Sequence, residues 1–271
     1  MAIKTWLKNL LRKTGYSLIR NEYLGQGAPD FIPFVRDIHC GGIAYRMWIA
    51  NKDAEAWYND AELNRSVETA ELARLVTPKS RILEFGPHHG SYTLMLASHV
   101  APGGIVVAVE PEPQTAMICQ AQVALNEWGR HVHVLHAAGA AQAGQTIRMN
   151  LHHCGSVLNG RQSGGIEVPT VSGDALDERY GPFDFLKIDV EGFELEVLKG
   201  CRSVLRRRPV IALELHTALL PRYGATVEDI FGLVDIGRYH GSMMFSASSD
   251  KLHPFDAPMA KNSPNVNLFL W

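Results

Sequence analysis

A chain of 271 residues with 46% hydrophobic content can bury a full α/β core and is too apolar to be disordered. The net charge of −2 gives no general attraction for nucleic acid, and the four cysteines, Cys40, Cys119, Cys154 and Cys201, form no CxxC pair of the zinc or disulfide kind. No run approaches the roughly 18 consecutive apolar residues of a membrane span, and Lys4, Lys8, Arg12 and Lys13 interrupt any signal-peptide block, so the expectation is a cytoplasmic protein.

In chain order, Ile3, Trp6, Leu7, Leu10 and Leu11 recur on one helical face, Lys4, Lys8 and Arg12 on another, and Gly15 marks a stop. Such a helix either docks on its own domain or a partner subunit, or makes peripheral contact with an anionic membrane through residues 3–13. Residues 21–60 are loop-rich and hold Phe31, Phe34, Tyr45, Trp48, Trp57 and Tyr58, with a turn at Gly41-Gly42 and a strand over 43–50. A helix follows over 61–76, with Leu63, Val67, Ala70, Leu72 and Leu75 at helical spacing. Residues 1–75 therefore read as an N-terminal extension whose aromatics either pack or act as a lid, and residues 76–271 as the main domain.

From Arg81 strands and helices alternate. Strands are expected at 81–85, 105–110, 131–137, 183–188, 209–215, 239–247 and 265–271, and helices at 91–99, 113–128, 193–206 and 226–236. Residues 146–152 and 166–172 read as an inserted hairpin or edge pair. The pattern predicts a seven-stranded, mostly parallel sheet with helices on both faces and right-handed crossovers.

Strand 81–85 ends in Glu84-Phe-Gly86-Pro-His-His-Gly90 and opens directly into a helix. Glycines there admit a ligand to the backbone, and the helix N-terminus attracts an anionic group. The spacing argues against a dinucleotide, because His88 and Ser91 stand where GxGxxG requires its second and third glycines. Glu84 can meet an ammonium group, and backbone N–H groups with Ser91 or Thr93 can meet a carboxylate. S-adenosylmethionine fits that demand. Glu110 ends the next strand, where an acid accepts hydrogen bonds from ribose hydroxyls or simply caps the helix after Pro111. Ala137-Ala138-Gly139 offers no acid for an adenine amino group, which leaves backbone groups or Asp174.

The segment DFLKIDVEGFELEVLKG, Asp184 to Gly200, carries the most chemistry. Alternation delivers Asp189 to a strand's carboxyl end, where open α/β sheets place ligands, and Glu191 and Gly192 follow. Together with EFGPHHGSYTLMLA, VAVEPEP, PVIALELH and the closing Asn267-Leu-Phe269, this segment resembles the FkbM family of S-adenosylmethionine-dependent methyltransferases, from about Glu68 to Trp271. The family usually has Asp-x-Gly-Ala-Asn-x-Gly at the first loop. Here Glu84, Pro87 and His88 stand in place of Asp, Ala and Asn.

The resemblance implies a Rossmann-like class I methyltransferase fold and O-methylation of a hydroxyl on a small metabolite, sugar, glycan or polyketide. It implies cofactor contacts from Glu84, Gly86, Pro87, His88, Gly90, Ser91, Thr93, Glu110, Pro111 and Asp189. Asp189 is the preferred base, with Glu191 and His216 as further catalytic candidates, each also readable as a cap, a first-turn acid or a strand-end polar residue. Glu194 reads only as a first-turn acid. Lys187, in a strand covered on both faces, needs a carboxylate partner, and Glu214 is the expected one. Asp189, Glu214 and His216 could also bind a divalent ion, and the expectation is no resident metal. Rival functions are transfer to nitrogen or a carboxylate, and a silent cofactor-binding scaffold of a glycan-assembly system.

Overall fold

The structure, a computed structural model, describes residues 31–271 except 41–42, 60–65, 102, 151–155, 158–164 and 246–250. The expected basic helix over 3–13 lies outside the described residues. Among these, no helix is long and apolar enough to cross a membrane.

Strands β1 (Phe34–Cys40) and β2 (Ile43–Ile49) form an antiparallel hairpin. Only the second was expected. Tyr45, Met47 and Ile49 alternate into the interior, whereas β1 buries Ile38 alone among its described side chains and so carries little periodic signal. Helix α1 (Lys52–Trp57) starts where the Asn51 side chain accepts the Ala54 N–H at 2.8 Å, and α2 (Val67–Leu75) where Ser66 accepts the Thr69 N–H at 3.3 Å. Then come β3 (Arg81–Phe85), α3 (Ser91–Val100), β4 (Ile105–Glu110), α4 (Pro113–Leu125) and β5 (Val132–His136). Helix α4 ends three residues earlier than expected, because the chain turns through Asn126 and Glu127, the latter at φ 59°.

The hairpin is fastened to α4 through side-chain amides. Gln122 accepts the Trp48 N–H at 2.7 Å and donates to the Trp48 carbonyl at 2.8 Å. Asn126, one helical turn on, does the same for Arg46, at 2.8 and 2.7 Å. Two amides on one helix face thus take the hydrogen-bonding part of a third strand beside β2.

A small sheet of order β6-β9-β7-β8 follows, built from β6 (Ala138–Gly139), β7 (Thr146–Asn150), β8 (Ser156–Val157) and β9 (Ile166–Val171). Its antiparallel β7–β9 pair is the hairpin expected from the sequence. Helix α5 (Gly173–Tyr180), capped by Ser172, was not expected. Strand β10 (Phe185–Ile188) leads to α6 (Glu194–Lys199) and α7 (Arg202–Arg206), which break the single helix expected over 193–206. Gly200 sits at the break, where a Cβ would lie 2.2 Å from the Ala140 carbonyl oxygen. The chain finishes with β11 (Val210–Leu215), α8 (Val227–Val234), β12 (Gly241–Met244), β13 (His253–Pro254), α9 (Ala257–Lys261) and β14 (Val266–Leu270).

The main sheet has the order β13-β12-β14-β11-β10-β3-β4-β5. It is parallel from β11 through β10, β3 and β4 to β5, with β14 antiparallel between β11 and β12. Seven strands match the expected ones; the two-residue β13 makes an eighth at the edge. Consecutive residues Ile82 to Phe85 and Val106 to Glu110 are all buried, so helices cover both faces. One face packs Leu83, Phe85, Val107, Val109, Leu186, Ile188 and Ile211 against Leu176, Leu198, Val204 and Ile230. The chain order reverses between β3 and β10, the switch point where α/β sheets open a crevice at their carboxyl ends.

Candidate active site

Gly86, just after β3, and Asp189, just after β10, flank that switch point. The Asp189 N–H donates to the Phe85 carbonyl and the Gly86 N–H to the Val109 carbonyl, each at 3.0 Å. Gly86 adopts φ +81°, and a Cβ there would lie 1.7 Å from the Asp189 carbonyl oxygen, so only glycine fits. His88 and Glu191, at φ 52° each, are held left-handed in the two loops, at a cost on the order of 1–3 kcal/mol apiece.

The crevice is lined by Gly86, Glu110, Pro111, Ala138, Gly139, Asp189 and Glu191, with Phe85, Val109, Met149, Val157, Val190 and Phe193 as its apolar wall. Met149 and Val157 come from the small sheet and were not foreseen, because nothing in that hairpin's sequence says which face of the domain it folds onto. Gly139 keeps the wall flat, since a Cβ would meet the Phe85 ring at 2.4 Å. Asp174 is elsewhere: its Oδ1 accepts the Ser203 and Val204 N–H groups at 2.8 and 3.2 Å, so it caps α7 rather than facing an adenine.

Glu110 is buried and organises the first loop. Its two carboxylate oxygens accept the backbone N–H groups of His88 at 3.1 Å and Glu112 at 2.9 Å. Burial pushes its pKa up to about 7, against the pull of those two donors. Each oxygen keeps a lone pair for a further donor, which suits ribose hydroxyls. The cap reading belongs to Glu112, whose carboxylate accepts the Thr115 N–H at the start of α4.

Glu84 lies deeper. It is fully buried, accepts the Thr93 hydroxyl at 2.6 Å and sits 3.8 Å from the Lys187 ammonium. This corrects the expected Lys187–Glu214 pairing. Lys187 stands in register with Glu84 on β3 and with Ala212, not Glu214, on β11. The ammonium also lies 4.8 Å from the centroid of the Tyr92 ring, whose hydroxyl donates to Glu68 at 2.7 Å. Burial alone would lower the Lys187 pKa, but Asp189, Glu84, Glu68 and Glu214 together hold it above the ordinary lysine value. Lys187 is therefore the buried cation that balances an acidic interior. Thr93 and Glu84 are occupied by each other and by Lys187, and neither they nor Ser91, which is buried, line the crevice.

His216 follows β11 and joins the acids at the end of β10. Its Nδ1 is 2.7 Å from Glu194 Oε1, and its Nε2 is 3.5 Å from Glu191 and 3.6 Å from Glu214. Burial works against its charge, but Glu194, Glu214 and Glu191 raise its pKa to about 9. At neutral pH it is an imidazolium. Glu194 was expected to be a first-turn acid only. Instead it is fully buried, and its Oε1 accepts both the His216 Nδ1–H and the Gly192 N–H, the latter at 2.9 Å. No sequence signal joins residues 22 apart.

Burial and the neighbouring Glu214 raise the Asp189 pKa well above the carboxylate range, against the pull of Lys187 and His216. Asp189, Glu214 and His216 bring possible metal-ligand atoms within 4.8 Å of one another.

Above the first loop, the Tyr58 hydroxyl lies 2.5 Å from His88 Nδ1, and the Trp57 ring lies 5.6 Å from the His88 ring. His88 stacks on His89 at 4.3 Å. The extension's aromatics therefore sit against the loop, with Trp57 half exposed. Trp48 serves the hairpin's anchorage to α4 instead.

The crevice thus brings together the Gly86 backbone, the Glu110 carboxylate, the Ala138–Gly139 wall and Asp189.

Comparison with known proteins agrees in kind. A curated relative, the hexuronic acid methyltransferase AglP of Haloferax volcanii, is 38% identical over 61 residues, 22% of this chain and 26% of that protein. The matched segment thus spans about a quarter of the relative's length. A solved FkbM methyltransferase from Methylobacillus flagellatus is similar over 72% of this chain and 44% of that one, at 14% identity and TM-score 0.48. An S-adenosylmethionine-dependent O-methyltransferase from Thermotoga maritima covers 75% of this chain and 63% of its own, at 14% identity and TM-score 0.43. Residues 84–242 match the methyltransferase FkbM domain. S-adenosylmethionine is the cofactor of that family, and with more than half of its residues in the match the chain belongs to the FkbM methyltransferases.

Proposed function

We propose that this protein methylates a hydroxyl of a sugar or glycan acceptor, with Asp189 as general base. The observation that carries the reading is the position of Asp189: it ends β10 in the crevice, against Gly86, with Glu191, Glu214 and the His216 imidazolium beside it. S-adenosylmethionine supplies an electrophilic methyl group when bound. Gly86 and Glu110 hold the cofactor's chain and ribose, and Pro87, His88, Gly90 and Pro111 shape the loops around it.

Asp189 takes the acceptor's hydroxyl proton as the oxygen attacks, a role worth roughly 10²–10⁴-fold. Its raised pKa makes it a stronger base than a solvated carboxylate. The imidazolium of His216, fixed by Glu194, keeps the acids from raising that pKa further and orients Glu191 and Glu214, which can hold acceptor hydroxyls. Lys187 holds the interior neutral from below. The hexuronic acid named for the partial relative AglP supports a sugar acceptor.

The test is transfer of labelled methyl from S-adenosylmethionine to hexuronic-acid glycans, comparing wild type with Asp189→Asn. The expected product is an ether that survives mild alkali, with the rate of the variant reduced by roughly 10²–10⁴-fold. Release of label by mild alkali would mark a methyl ester and overturn the hydroxyl assignment. Full activity in Asp189→Asn would remove it as the base. Cofactor binding with no transfer to any acceptor would favour a silent scaffold.

A further inference from the structure

The opposite end of the main sheet carries a second concavity, of about 240 Å³, between α7 and α8. Arg202, Arg206 and Arg208 reach it from α7 and the turn after it, and Arg238 from the turn after α8. Leu205, Val234 and the Tyr239 ring form an apolar floor. It lies where β11 begins, whereas the Asp189 crevice lies at the carboxyl end of the neighbouring β10.

The charge there is uncompensated. Four guanidinium groups face one acid, Asp235, which sits 3.5 Å from Arg238. Among the described residues, Arg206 donates only to the Ser203 hydroxyl, at 2.7 Å. Among the described residues, the Arg202 and Arg208 side chains have no hydrogen-bond or ion-pair partner. A second observation is independent of the arginines. Tyr239 is 8% exposed, lines the same cavity, and its hydroxyl has no hydrogen-bond partner. Buried hydroxyls are ordinarily satisfied, so this donor calls for a ligand. A third concerns the backbone. Arg208 adopts φ 56°, at a helix end where glycine or asparagine is usual.

We propose that this cleft binds a phosphate-bearing ligand, with the Arg202, Arg206 and Arg208 guanidinium groups taking the phosphate oxygens and the Tyr239 hydroxyl donating to one of them. A monoanionic carboxylate would leave most of the positive charge unmatched, whereas a phosphate group accepts several planar, two-pronged donors at once. The phosphate belongs either to a soluble ligand or to a lipid headgroup, and the two sources separate experimentally.

Calorimetry with inorganic pyrophosphate and sedimentation with phosphatidylglycerol vesicles, against phosphatidylcholine vesicles, form the two arms. Binding in either arm is expected, and the arm that responds names the source. Arg208→Gly keeps the left-handed backbone at ease, so its thermal midpoint should stay at or above that of wild type while affinity falls about tenfold. Tyr239→Phe should weaken binding about threefold without loss of stability, since the hydroxyl has no partner to lose. Arg130→Gln, an exposed arginine elsewhere, should change nothing. Absence of binding in both arms, unchanged binding by Arg208→Gly, or an equal loss in Arg130→Gln would overturn the proposal.

Discussion

Replacing Glu194 by Gln isolates the buried acid that the fold sets behind His216. The amide oxygen still accepts the Gly192 N–H and the His216 Nδ1–H, so the packing is kept and the charge removed. In the wild type His216 titrates at about 9 against an ordinary 6.5, a difference worth about 3 kcal/mol of stability at 1.36 kcal/mol per unit. The folded value lies above the unfolded one. That stabilisation is therefore complete below pH 6.5 and disappears as pH rises through about 9. Glu194 supplies both the hydrogen bond and the largest charge effect holding the value up. In the variant the imidazole titration, followed by NMR, should move down by more than about one unit. Urea unfolding from pH 6 to 10 should show the two proteins converging as His216 loses its proton in both. A stability difference that stays constant across that range, with the titration unmoved, would refute the coupling.

Three further outcomes follow from the geometry. Gly86→Ala places a methyl group on the Asp189 carbonyl and a left-handed alanine in the loop, so it should abolish cofactor binding and lower the thermal midpoint. Lys187→Met leaves Glu84 as an unpaired buried acid and should cost about 3–5 kcal/mol in urea unfolding, much of it recovered in Lys187→Met/Glu84→Gln; an additive double variant would show the two side chains to be uncoupled. Gln122→Ala removes both amide bonds to Trp48, and about 1–3 kcal/mol of protection should vanish from that amide in hydrogen exchange while the main sheet keeps its own.

The parallel core was legible because β3, β4, β10 and β11 are short apolar runs separated by glycine turns and helical spacing. Gly86 and Glu110 were legible for a related reason, since their positions at strand ends are fixed by the chain itself. Partners that meet across the sheet were not. The register between β3 and β10 sets Lys187 against Glu84, and no sequence distance distinguishes that acid from Glu214. Glu194 and His216 meet only because α6 folds back beside the end of β11. Strand β1 escaped notice because its stability comes from pairing with β2, which in turn rests on Gln122 and Asn126 of α4 rather than on a buried apolar face of its own.

The extension's aromatics stood between two readings, lid and packing. Tyr58 and Trp57 sit against His88 and join the extension to the first loop. The pH dependence of transfer carries a related signature. Asp189 must lose its proton to act as base, and burial raises its pKa, so the rate should climb with pH beyond the ordinary carboxylate range.

The central claim, that the crevice at the ends of β3, β4 and β10 holds S-adenosylmethionine, is tested most directly by calorimetric titration with S-adenosylhomocysteine. Wild type should bind one equivalent, and Glu110→Gln, which removes the carboxylate facing the ribose, should bind at least about tenfold more weakly. No heat of binding to the wild type, or equal affinity in Glu110→Gln, would contradict it.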